Sequence, residues 1–284
     1  MREISRSFDA GTYDAVVYGG GIRGTMLAAR LALQGDKTLL VERGGGCMGE
    51  IAWSRWTRLD LDFAHTGEAG EPAGMYTEWL TQAGGYRDGR VEPCLATIVA
   101  DRLLRQLGVD VLFEAGFLAA GDEPHVHELA LRGQKGRVRA QAFYQTMNET
   151  RCDSEIWALT LMNAKLPEFA DQMLETAGGP IPARFERGFY EDETLAYVLM
   201  TGTAAQPAGQ MQSFYARLGE ILLALRTSDP ALAAARLAHI GDKPLLWSSG
   251  HESPHDLWNS VKRRLESRFV LSDADLKCSN KATV

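Results

Sequence analysis

The first third of the chain alternates short, mainly apolar runs with longer runs whose small or apolar residues recur every three or four positions. Tyr13 to Tyr18 is a run of the first kind and predicts a strand buried on both faces of a parallel sheet. From Ile22 the period changes. Gly20, Gly24, Ala28 and Ala32 recur every four residues and share one helix face, narrow enough to lie tightly on a sheet. Gly35 supplies the stop, and Thr38 to Val41 reads as a second buried strand ending at Glu42. Further on, Leu95, Ile98, Val99 and Leu103 trace a helix that Gly108 ends, Val111 to Phe113 is strand-like, and Arg137 to Tyr144 reads as a return strand.

Beyond residue 150 the apolar positions predict helices at Ile156–Leu166 and Phe169–Leu174, parted by Pro167. Met211, Phe214, Leu218, Ile221, Leu222 and Leu225 give a clear amphipathic helix. A helix is also expected at Pro230–His239, with Asp229 as its cap and Gly241 as its stop, and another at Asp256–Phe269, where Leu257, Val261 and Leu265 share a face. The organisation this implies is α/β. Residues 1–150 form a Rossmann-type parallel sheet that binds a dinucleotide, 151–227 a mostly helical cap or substrate region, and 228–284 C-terminal helices returning to the first domain. The polar tail from Ser272 reads as frayed.

The junction between the first strand and helix carries the chemistry. Gly19, Gly21 and Gly24 fill the three positions of G-x-G-x-x-G. The first permits a tight turn, the second lets a pyrophosphate approach the backbone, and the third lets helix pack on strand. Glu42 lies 18 residues beyond Gly24, at the far end of the second strand, where a carboxylate accepts ribose hydroxyls while the helix N-terminus faces the phosphates. The alternative, a glycine-rich turn in an unrelated α/β protein, explains the turn and leaves the acid and the small-residue face unexplained.

Asp14 to Arg43, continuing into GGGCMGE at 44–50, resembles the N-terminal signature of FAD-dependent oxidoreductases of the glutathione-reductase-like superfamily. Gly45, Gly46 and Gly49 resemble the loop that runs toward the flavin, and residues 91–146 resemble the segment that returns to the sheet near the adenine. The resemblance implies FAD as cofactor, with NAD(P) as a co-substrate, and a cofactor site built from Gly19, Gly20, Gly21, Ile22, Arg23, Gly24, Glu42, Arg43, Gly49, Phe117 and Thr146. It places the loop carrying Trp53, Ser54, Arg55 and Trp56 near the isoalloxazine, with Arg55 or Arg58 available to a substrate carboxylate. Two departures stand out. The family's Ala-Thr-Gly-Asp becomes Gln145, Thr146, Met147 and Asn148, so only the threonine survives. The closing Gly-Asp turn has a single counterpart, Gly241 and Asp242, which the helix-stop reading also explains.

The activity implied is oxidation or reduction of a small molecule by hydride transfer to or from flavin, with no catalytic acid or base identified. An NAD-dependent dehydrogenase is the first rival, because Gly19 to Glu42 serves NAD equally well. A shortened flavoprotein subunit that needs a partner is the second. The altered site near Thr146 carries the expectation of a homodimer or a heteromeric partner subunit.

Bulk properties narrow the partners. The chain has 284 residues, 45% of them hydrophobic, and a formal charge of -7, which offers neither nucleic acid nor an anionic membrane the clustered Lys and Arg they reward. Cys47, Cys94, Cys152 and Cys278 form no C-x-x-C pair, and no run reaches the length of a membrane span. A cytoplasmic protein is expected. His125 with His127, and His251 with His255, lack the acidic or Cys partners that would complete a metal site, so no metal is expected.

Overall fold

The computed structural model describes residues 7–61, 71–121, 123–146, 154–164, 169–201, 210–228, 230–247 and 254–271. The first unit begins with β1 (Phe8–Tyr18), α1 (Ile22–Leu33) and β2 (Thr38–Val41). After α2 (Gly49–Ala52) come α3 (Pro72–Gln82), the small hairpin of β3 (Tyr86–Arg87) and β4 (Arg90–Val91), and α4 (Pro93–Gln106). The α4 N-terminus is fixed by local chemistry: Pro93 opens the helix and the Glu92 carboxylate accepts from Leu95 N–H at 2.6 Å. The unit ends with β5 (Asp110–Leu112), β6 (Ala115–Ala120), β7 (Val126–Leu131) and the long β8 (Gln134–Gln145).

These strands form one sheet in the order β5-β2-β1-β8-β7-β6. β1 runs parallel to both neighbours, with Val16 opposite Leu39 on one side and Phe143 on the other. β6, β7 and β8 are joined antiparallel. Because β1 is buried on both faces, successive residues serve two cores. Ala15 and Val17 meet Ile22, Met26 and Leu103, whereas Val16 and Tyr18 meet Leu39, Leu129 and Val138. This is the Rossmann-type parallel arrangement expected from Tyr13–Tyr18, Thr38–Val41 and Arg137–Tyr144.

The second region corrects the expectation of a helical cap. Residues predicted as helices at Ile156–Leu166 and Phe169–Leu174 are β9 (Ser154–Met162) and β10 (Phe169–Thr176). With β11 (Gly179–Arg187) and β12 (Glu193–Thr201) they make an antiparallel sheet in the order β10-β11-β12-β9-β13, where β13 is Arg236–Ile240. β14 (Leu245–Trp247) also pairs with β9. The run at 156–162 is apolar apart from Thr160 because β9 is covered on both faces, and a nearly continuous apolar run does not separate strand from helix by period. Trp157, Leu159 and Leu161 pack with Ile221 and Leu225 of α5 (Gln210–Ser228), the amphipathic helix the pattern predicted. Ile156 and Ala158, with Leu195, Tyr197 and Leu199 of β12, join the core of the first unit.

The helix expected at Pro230–His239 is likewise replaced. One short turn of helix at Pro230–Leu232 leads into β13, so pairing with β9 overrides the helix propensity of the alanines. Asp229 lies outside the described residues. The final helix, α6 (Pro254–Glu266), covers the expected span apart from its last turn, with Leu257, Val261 and Leu265 buried. No helix among the described residues is long and apolar enough to cross a membrane.

Candidate functional site

The site forms where β1 ends and α1 begins. Gly19 has φ +107°, a conformation that side chains rarely adopt, and its N–H donates to Val41 O at 2.8 Å, closing the turn against β2. Gly24 lies so close to the strand end that a Cβ there would stand 1.7 Å from Gly19 O. Thr146 fastens the same turn: its hydroxyl lies 3.0 Å from Tyr18 O and 2.9 Å from Gly19 O, and its N–H reaches Tyr18 O at 3.0 Å. The surviving threonine therefore shapes the glycine turn from below. Met147 and Asn148 lie outside the described residues.

Two carboxylates already use the donors of this loop. Glu42, buried at the end of β2, accepts Gly20 N–H through Oε2 and Gly44 N–H through Oε1. Each oxygen keeps a further lone pair for a hydroxyl. Glu50 of α2 accepts Ile22 N–H at 2.9 Å, at the N-terminus of α1, and pairs with Arg268. A loop whose N–H groups gather two carboxylates has the donor set that a diphosphate requires. Arg43 lies over the Tyr18 ring at 5.6 Å, and the buried Tyr18 hydroxyl has no hydrogen-bond partner among the described residues.

The structure brings Gly19, Gly20, Gly21, Ile22, Gly24, Glu42 and Gly49 together around this turn. Arg23 lies exposed on the first turn of α1. Phe117 is set apart on β6, in an aromatic group with Tyr18 at 6.0 Å and Phe143 at 4.9 Å. His127 stacks on the same Phe143, and burial, with nearby His125, lowers its pKa. Among the described residues no three His, Cys, Asp or Glu side chains form a group that would hold a metal. His251 lies outside them.

Two features went unread or misread in the sequence. Gly241 does not stop a helix. It ends β13, donates to Ala158 O at 2.8 Å, and lies against Trp53 O, so the turn through Asp242 and Lys243 meets the loop that follows Glu42. The Trp53–Trp56 segment packs inward, with Ser54 and Trp56 buried. Trp56 is buried with its ring 4.4 Å from that of Tyr197, and the Tyr197 hydroxyl donates to Arg55 O at 3.2 Å and accepts from Thr57 N–H at 3.3 Å.

Beside Trp56 a cleft of about 190 Å³ opens between the sheet of β9–β12 and α6. Trp56 and Trp258 supply its aromatic surface, and Arg58, Arg184, Glu186 and Lys262 its charge. Glu186 Oε1 accepts from Arg184 at 2.7 Å, whereas the buried Glu186 Oε2 and Trp258 Nε1 have no hydrogen-bond partner among the described residues. An unmade hydrogen bond at a buried group is costly, which sets these two atoms apart from the rest of the cleft's lining.

Burial raises the pKa of Glu186, opposed chiefly by Arg184. A carboxyl whose folded pKa is raised holds its proton more tightly in the folded state. Its contribution is then full below the unfolded value and is lost as pH rises through the folded one. Glu186→Gln, which does not titrate, is expected to gain stability relative to the wild type as pH rises from about 4 through the neutral range. Denaturant midpoints measured across that range test this, and parallel curves for the two proteins would count against it.

The fold and the glycine turn define a Rossmann-type α/β protein with an antiparallel second sheet. Residues 14–145 match the family model described as FAD dependent oxidoreductase. No curated protein sequence matches the chain. Among solved structures, the fold is similar to that of the myxobacterial chondrochloren halogenase, a variant FAD-dependent halogenase, with a TM-score of 0.55 and 16% identity over 82% of this chain and 62% of that one. It is also similar to p-nitrophenol 4-monooxygenase from Pseudomonas putida DLL-E4, with a TM-score of 0.53 and 13% identity over 83% of this chain and 67% of that one. A geranylgeranyl bacteriochlorophyll reductase-like protein from Thermoplasma acidophilum gives a TM-score of 0.51 and 14% identity, over 83% and 66% of the two chains. The chain thus spans less than two thirds of the halogenase's length.

Proposed function

We propose that the protein is an FAD-dependent oxidoreductase acting on a small molecule. The observation that carries this reading is the donor-lined turn of Gly19–Gly24 with Glu42 at the end of β2, inside the segment that matches the FAD family model. The isoalloxazine supplies the hydride chemistry when bound. The chain's own residues position and enclose. When FAD is bound, Ile22 N–H at the N-terminus of α1 would hold the phosphates and Glu42, fixed by Gly20 N–H, would take the ribose hydroxyls. The cleft beside Trp56 receives the substrate, with Arg58, Arg184 and Lys262 supplying positive charge along its lining. A homodimer or a partner subunit, expected from the altered residues around Thr146, belongs to the same proposal, as does membership of the glutathione-reductase-like superfamily.

Purified protein should carry, or take up, a chromophore absorbing near 450 nm, roughly where oxidised flavins absorb. Glu42→Ala should weaken FAD binding by about 1 to 3 kcal/mol, through loss of charge-assisted hydrogen bonds. Protein that takes up NAD and refuses FAD would reverse the assignment in favour of an NAD-dependent dehydrogenase.

A further inference from the structure

The N-terminus of α1, where a dinucleotide's phosphates would lie, is taken by a side chain of the protein itself. Glu50 Oε2 accepts Ile22 N–H at 2.9 Å, and both carboxylate oxygens lie 2.8 Å from where a Cβ on Gly21 would be. The backbone surface that Gly21 leaves open for close approach is therefore filled by Glu50. The carboxylate is neutralised from the other side by Arg268, just beyond the end of α6 and 218 residues away in sequence. Their side chains are 13% and 28% exposed, so the pair is shielded enough to matter and open enough to be parted.

A diphosphate and this carboxylate cannot share the same donors. Both are anions, both draw on the positive end of α1, and the low dielectric of a partly buried site magnifies their repulsion. We propose that Glu50 is a built-in competitor for the phosphate position. It caps α1 and holds Arg268. An incoming diphosphate displaces it, takes over Ile22 N–H, and inherits Arg268 as its counter-ion. One anion replaces another, so the helix end and the guanidinium stay satisfied in both states while the carboxylate turns out to solvent. The consequence is specificity: ligands with a diphosphate do the displacing, and adenosine alone does not. This rests on the dinucleotide reading above and extends it to how the site is kept closed to weaker anions.

The test titrates nucleotide-free protein with FAD, ADP and adenosine by calorimetry, comparing the wild type with Glu50→Gln, which keeps the shape and removes the charge. The variant is expected to bind FAD and ADP about tenfold more tightly, the scale set by losing one charge-assisted contact at a helix N-terminus, with adenosine unchanged. Its thermal midpoint without ligand should fall, because the cap and the ion pair weaken together. In Glu50→Gln combined with Arg268→Met the gain should largely vanish, since the cation that the diphosphate inherits is gone. Should Glu50→Gln fold poorly, Arg268→Met alone still decides: preserved ADP affinity with an unchanged thermal midpoint overturns the proposal. If Glu50→Gln binds FAD no more tightly than the wild type, the competitor role falls and the FAD reading stands. If neither protein binds FAD or ADP, both fall together.

Discussion

Gly24→Ala is expected to leave little folded protein, whereas Gly21→Ala should fold and lose only the ability to hold FAD. The two glycines belong to one motif and face different neighbours. At Gly24 a Cβ would meet Gly19 O at 1.7 Å and the Thr146 hydroxyl at 2.7 Å. The carbonyl belongs to a turn already committed to φ +107° at Gly19, so it cannot give way without unpairing β1 from β2 or lifting α1 off the sheet. Overpacking in a core costs about 1 to 3 kcal/mol where side chains can adjust, and here the obstacle is backbone. A loss of at least about 3 kcal/mol follows, a large part of a typical domain's total stability. At Gly21 the nearest atoms are the Glu50 carboxylate oxygens at 2.8 Å, the mobile end of a side chain. Soluble yield, thermal midpoint and retained flavin, measured for both variants, separate the outcomes. A stable Gly24→Ala protein would show that α1 does not pack on β1 as described.

What the sequence made legible was local. The turn between β1 and α1 is written in glycines whose spacing has a steric meaning, and α1 shows its small face every fourth residue. Glu42 could be placed because it follows a four-residue strand directly, and its two backbone contacts, to Gly20 and Gly44, lie where that strand must end. The second sheet was illegible for the complementary reason. β9 is covered by α5 on one face and by the first unit on the other, so its residues show no alternation, and a nearly continuous apolar run carries no period to read. β13 lies in an alanine-rich stretch whose intrinsic preference is helical, and only its pairing with β9 decides against that.

The candidate site divides the same way. Its phosphate-facing half comes from one continuous stretch and could be read directly. The cleft draws on Trp56, Arg184, Glu186 and Trp258, which come from a loop, a strand and a helix scattered along the chain. No spacing rule joins them. Glu186 lies on the face of β11 opposite Ile181, Ala183 and Phe185, in line with Arg184, and β11 itself had not been recognised as a strand. Gly241 shows how a plausible local reading misleads: a glycine after an apparent helix looks like its stop until the segment proves to be a strand.

Trp56→Ala should cost the protein about 3 to 5 kcal/mol, the range for removing a large buried aromatic side chain. Trp56 is 2% exposed and belongs to the core shared by the first sheet's helices, β12 and α6. Its ring stacks 4.4 Å from Tyr197 and 6.3 Å from Trp258, and its Nε1 donates to Arg58 O at 3.1 Å, so one side chain ties a loop following the glycine turn to the second sheet and the last helix. Those partners are held by their own elements and cannot all close on the space left behind, which keeps the cost toward the upper part of the range. Trp56→Phe retains most of the aromatic packing and should recover more than half of the loss, leaving the indole's hydrogen bond and part of its area missing. Urea unfolding of the three proteins decides the matter. A loss below about 1 kcal/mol for Trp56→Ala would mean that the junction between the two sheets tolerates a cavity, and that Trp56 serves the cleft it lines more than the core it appears in.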